Sequence, residues 1–163
     1  MNRYDLERDD PTFVDDLHKS HPAVVRVGEW LSAKGYIVQV PTPEARDKIE
    51  DRHNFSDGGD IFIDVANFVR IIEVKQRRNI DFTGLADYPY PTIFIDSVSK
   101  YDRKNPKPWL YFIVNRGLTT ALVIKGTTPN RWGKTKKYDK QKSRSEAFYV
   151  ADTSMFVERS ISA

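Results

Sequence analysis

Three residues, Asp60, Glu73 and Lys75, have the types and the spacing to hold a hard divalent cation against a phosphate ester. Two carboxylates make an oxygen site of the kind that suits Mg²⁺, an ion that keeps several waters and takes further ligands from substrate phosphate. Such an ion polarises a phosphoryl oxygen and lowers the pKa of a bound water, giving a nucleophile near neutral pH. An ammonium beside the pair can position that water or stabilise charge developing at phosphorus. The carboxylates favour the protonated form of Lys75, so a general-base role would need burial or help from the metal.

These side chains meet only if the chain between them doubles back. Ile61 to Val65 alternates in polarity, Ala66-Asn67 reads as a two-residue turn, and Phe68 to Lys75 continues as a second β-rich run. In that hairpin Glu73 and Lys75 share a face, their Cα atoms about 6.5 Å apart. Asp60 opens the first strand and so lies beside the end of the second. A register slip of one residue would scatter the set. Taken singly the signals are weak: an E-x-K occurs on many wet strand faces, and an aspartate after Gly58-Gly59 is often only a turn residue. Their convergence carries the reading.

The flanking elements follow from punctuation. Residues 1–20 read as an arm or a short helix. Pro22 suits the first turn of a helix over Ala23 to Lys34, with Val24, Val27 and Leu31 at helical spacing and Gly35 as its stop. Tyr36 to Val40 reads as a strand, and Glu44 to His53 as a loop or surface helix. Beyond the hairpin, Ile80 to Pro91 is aromatic and proline-broken, and Thr92 to Asp96 reads as a strand. Ser97 can cap a short helix reaching Asn105. Trp109 to Val114 and Leu118 to Ile124 flank Asn115-Arg116-Gly117, with Gly117 expected in the left-handed position. Ala147 to Val150 reads as a last strand and Ser154 to Ser160 as a terminal helix. The length suits one domain over residues 1–163.

Gly59-Asp60 followed by Glu73-Val74-Lys75 at the end of the next strand resembles the PD-(D/E)xK nuclease superfamily. The resemblance is firmest over residues 22–76 and extends to about 124; a glycine, Gly59, stands where the family usually has proline. It implies an α/β fold, the restriction-endonuclease-like core of helix-strand-strand-strand-helix-strand, with a central mixed sheet flanked by helices. It also implies that Asp60, Glu73 and the Val74 carbonyl hold Mg²⁺ or Mn²⁺ and that Lys75 serves catalysis. Branches of the family that resolve Holliday junctions use a glutamate of the first helix as well. Glu29 is the candidate for that place, with solvation of the helix's outer face as the alternative.

Charge is unevenly spread along the chain. The net is +3, yet the stretch from Arg131 to Arg144 carries Lys134, Lys136, Lys137, Lys140 and Lys142 against one acid, Asp139. A basic loop there would bind backbone phosphates by releasing counterions; a merely solvated loop is the other reading. Trp132 within it can stack on a base or simply anchor the loop. Gln76 and Arg77, directly after the motif, point outward or toward substrate. The three histidines, His18, His21 and His53, have no metal-site spacing.

With no cysteine, thiolate zinc sites and disulfide scaffolds are excluded. No apolar run reaches the roughly 20 residues of a membrane span, and the N-terminus lacks a signal-peptide core. A soluble cytoplasmic protein is expected, with nucleic acid as partner, DNA favoured over RNA, and a homodimer or protein partner supplying further contacts. The expected activity is metal-dependent endonucleolytic hydrolysis. The rivals are a non-catalytic nucleic-acid-binding or assembly module of the same fold, and an unrelated α/β protein with a surface E-x-K.

Overall fold

The computed structural model describes residues 11–41, 60–140 and 143–162. Helix α1 runs from Pro11 to Ala33. Its buried stripe, Ala23, Val24, Val27 and Leu31, packs on Ile61, Ile63, Ile72 and Val74. The helix therefore starts well before Ala23, and Pro22 lies inside it. A proline suits a first turn, but it can also sit mid-helix at the loss of one backbone bond, about 3 kcal/mol. Gly35 does end the helix, at φ 98°. Around it Tyr36 N–H reaches the Leu31 carbonyl and Gly35 N–H the Ser32 carbonyl, the paired bonds of a Schellman stop.

Strands β1 (Val38–Gln39), β2 (Ile61–Val65), β3 (Phe68–Gln76), β5 (Leu110–Val114), β6 (Thr120–Lys125) and β9 (Val157–Ser160) form one mixed sheet in the order β1-β2-β3-β5-β6-β9. Every neighbouring pair is antiparallel except β3 and β5, which run parallel with Glu73 opposite Tyr111. The expected strand 36–40 shrinks to two residues. The β2–β3 hairpin falls where its alternation and turn place it, with Ala66 (φ 50°) and Asn67 (φ 68°) both left-handed. Two positive φ values define a type I′ turn, which favours Asn-Gly. Ala66→Asn with Asn67→Gly is expected to raise stability by about 1 kcal/mol in urea unfolding, since each left-handed residue costs roughly that much.

Between β3 and β5 the chain leaves this sheet to form β4 (Thr92–Ser97) and helix α2 (Val98–Arg103), capped by the Ser97 hydroxyl as expected. Strand β4 joins β8 (Arg144–Asp152) and β7 (Gly133–Asp139) in a second, antiparallel sheet of order β4-β8-β7. Alternation along β5 separates two cores. Phe112 and Val114 face α1, whereas Tyr111 and Ile113 face Ile93, Ile95 and Tyr149 of the small sheet. The protein is thus α/β with a mixed sheet; among the described residues α1 covers one face of it and the other carries the small sheet with the six-residue α2.

Three expectations are corrected, and one open alternative is decided. The basic segment is strand β7, not a loop, because β8 pairs with it from Gly133 to Asp139. Residues 157–160 are strand β9 on the sheet edge, after a 3₁₀ turn at Thr153–Met155, rather than a terminal helix. Leu118 (φ 58°), not Gly117, takes the left-handed place in the β5–β6 connection. The Asn115 side chain fixes that turn by accepting from Thr119 and Thr120 N–H. Finally, Trp132 is buried among Tyr101, Tyr111 and Tyr149, the anchoring alternative rather than the stacking one. Among the described residues no helix is long and apolar enough to cross a membrane.

Candidate active site

Asp60 sits one residue before β2, where the ladder with β3 ends at the Ile61–Ile72 pair. Its backbone N–H still reaches the Ile72 carbonyl at 3.2 Å. One residue further along, its carboxylate replaces the missing strand: Oδ2 accepts from Val74 N–H at 2.8 Å. N–H and C=O of one strand residue point to the same edge, so the Val74 carbonyl is directed to the Asp60 side of β3 as well. The Val74 side chain packs toward α1, while Glu73 and Lys75 project from the opposite face, toward the small sheet. The expected convergence of Asp60, Glu73, Val74 and Lys75 is thus a consequence of the hairpin register.

Across the interlayer space the cluster gains three members that the motif does not contain. Asp96 lies at the end of β4, just past a bulge. It receives the Tyr111 hydroxyl at 2.7 Å and Ser97 N–H at 2.9 Å. Lys75 Nζ lies 3.7 Å from Asp96 Oδ1, and Lys104 Nζ lies 3.2 Å from Asp96 Oδ2 and 3.7 Å from Glu73 Oε1. All but Lys75 are buried, Lys104 included. Nothing in the spacing of 96, 104 and 111 signals this. The usable hint was chemical: a strand reading Ile-Phe-Ile-Asp buries its acid, and a buried acid demands cations.

The environment divides the carboxylates into two kinds. Burial raises the Asp96 pKa, but Lys75, Lys104 and the Tyr111 hydroxyl outweigh it and hold the group at about 2. Glu73 goes the other way: burial, then the nearby Asp60 charge, push it up to about 8 against the pull of Lys104 and Lys75. Desolvation opposes the Lys75 charge, yet Asp96, Glu73 and Asp60 together raise its pKa, so the ammonium persists. Tyr111 is held neutral by burial and by the Asp96 charge, which fixes it as a donor.

The other expected site residues lie elsewhere. Glu29 is exposed on α1 and takes no part in these contacts, which is the solvated alternative. Arg77 is half-buried, donates to the Phe94 carbonyl and lies 6.0 Å from the Phe94 ring centroid. Gln76 donates to the Arg116 carbonyl at 3.3 Å. Lys134, Lys136, Lys137 and Lys140 are exposed on or beside β7, and Arg131 on the turn before it. Lys137 Nζ approaches the same Phe94 ring as Arg77, at 5.6 Å, so the basic strand runs close to the end of β3. The expected loop or surface helix from Glu44 to His53 and the Gly58-Gly59 pair lie outside the described residues.

The donor set suits a hard divalent cation. Among the described residues no three His, Asp or Glu side chains form a ready cage, and Mg²⁺ needs none when a backbone carbonyl, waters and substrate complete its shell. A buried carboxylate raised toward neutrality beside a second acid is a pair short of positive charge, and a cation would restore its ionised form. No protein-family model matches this chain, and no curated protein or solved structure is significantly similar to it.

Proposed function

We propose that this chain is a metal-dependent nuclease that hydrolyses phosphodiester bonds, with DNA favoured over RNA. The observation that carries the reading is the Asp60–Val74 bond, which sets two carboxylates, a backbone carbonyl and an ammonium around one strand end. The element order supports a restriction-endonuclease-like core: a helix, three antiparallel strands, a short helix, then a strand parallel to the third and beside it. Here the crossover also contributes β4, and β4 supplies Asp96.

Asp60, Glu73 and the Val74 carbonyl would hold Mg²⁺ or Mn²⁺, which when bound activates water and polarises phosphate. Lys75, kept protonated, presents positive charge to the pentavalent phosphorus centre as negative charge grows there. Asp96 aims that ammonium, and Tyr111 in turn holds Asp96 by its hydroxyl. Lys104 offsets the carboxylates inside the layer. The exposed lysines of β7 contact backbone phosphates, giving affinity without reading sequence.

One observation favours a second reading, a nucleic-acid-binding or assembly module without catalysis. Lys104 Nζ already lies 3.7 Å from Glu73 Oε1 and 3.2 Å from Asp96 Oδ2, as it would in a closed structural network. The deciding assay is cleavage of labelled duplex, single-stranded and four-way-junction DNA with Mg²⁺ or Mn²⁺, alongside Asp60→Asn checked for folding by circular dichroism. Cutting that requires the metal and disappears in the folded variant supports the nuclease. No cutting of any DNA or RNA, with no metal bound at millimolar concentration, leaves the binding module.

A further inference from the structure

A second feature stands apart from the carboxylate cluster and shares no residue with it. A cleft of about 800 Å³ opens between the last turns of α1 and the ends of β5, β6 and β9. Its floor is largely aliphatic, as at Val123 and Val157; two of the chain's three tryptophans, Trp30 and Trp109, line it with Tyr36, and four cations, Lys34, Lys125, Arg131 and Arg159, stand around it. All four cations are exposed, and among the described residues the lining contains no acid. The Trp30 ring is held edge-on against Phe112, centroids 6.0 Å apart, so it offers a fixed plane. Lys34 Nζ lies 5.3 Å from that ring.

We infer that this cleft binds a single strand of nucleic acid. Flat rings with exposed cations around them match a ligand that alternates bases with phosphates. The bases stack on the aromatic planes and the phosphates pair with Lys and Arg, without regard to sequence. An acidic peptide would satisfy the cations and leave the rings idle. Arg131 belongs both to the cleft and to the start of the basic segment, so a strand lying here continues toward the lysines of β7. The inference goes beyond the nuclease reading, since strand capture in this cleft needs no cut.

The test is a titration of the full chain with an oligothymidylate of about 12 nucleotides, in EDTA so that no metal-dependent cutting occurs. Trp132 is buried elsewhere, so quenching of tryptophan emission reports on Trp30 and Trp109. Saturable quenching is expected, with at least tenfold weaker binding by Lys125→Ala/Arg159→Ala and a salt slope smaller by about 1.4, two contacts at roughly 0.7 each. Lys34→Ala/Arg131→Ala provides an independent second pair. An abasic oligomer of equal charge should bind more than tenfold more weakly, and polyglutamate not at all. Unchanged affinity in both variants, or equal affinity for the abasic oligomer or polyglutamate, would overturn the inference. Because the readout is binding in EDTA, its failure leaves the cleavage assay untouched, and the reverse also holds.

Discussion

Glu73→Gln is expected to lower the proposed metal-dependent cleavage on the order of 10³-fold, the scale set by losing one preorganised electrostatic group, while making the metal-free fold more stable at neutral pH. The two effects have one cause. Burial and the Asp60 charge raise the Glu73 pKa from 4.5 to about 8, so the folded chain holds a proton that the unfolded chain has released. The contribution of this group is therefore full below about pH 4.5 and declines as the pH rises through about 8. Glutamine keeps the shape and the neutral form at every pH, so the variant should match the native chain near pH 4.5 and exceed it increasingly above. Urea unfolding at several pH values reads this directly, and parallel curves for the two proteins would refute it. Mg²⁺ or Mn²⁺ should raise the native melting temperature most at the alkaline end, where the carboxylate is ready to ionise, and leave the variant nearly unmoved.

Asp96→Ala should cost the fold about 3–5 kcal/mol, the usual scale for removing one partner of a buried ion pair. The aspartate is the common acceptor of Tyr111, Lys75, Lys104 and its own cap residue Ser97. Without it a buried ammonium keeps only Glu73, a group that itself resists ionisation, and a buried hydroxyl loses its acceptor. Adding Lys104→Met should recover a large part of the loss, because the second change removes the stranded charge. A double-mutant cycle in urea measures the coupling, and simple additivity would count against the network. The Asp96 carboxyl titrates at about 2 in place of 3.8. Its contribution is thus present above about pH 4 and fades as acid is added toward pH 2.

What the sequence discloses here follows the range of the interactions. The β2–β3 hairpin and the meeting of Asp60 with Glu73 and Lys75 are local, set by an alternation of two and a two-residue turn. Asp96, Lys104 and Tyr111 were illegible as site members because they reach the cluster from a different layer, across a crossover whose path no spacing encodes. The basic strand β7 reads as a loop because its lysines mask the pairing that β8 supplies. Residues 157–160 show the same limit. A short amphipathic run becomes strand or helix according to the edge available to it, and here β6 offers one.

The small sheet also implies an order of events during synthesis. Every member of the carboxylate cluster has been made once Tyr111 leaves the ribosome, yet the strand carrying Asp96 pairs with β8, where Asp96 stands opposite Tyr149. Contacts between segments so distant in the chain form late, because a long loop must close before they yield any stabilisation. A nascent or truncated chain ending at β6 would carry every charged group of the cluster with Asp96 unseated and Lys75 unaimed. The complete proposed site would then arrive only with residues 144–152, after most of the molecule has been built.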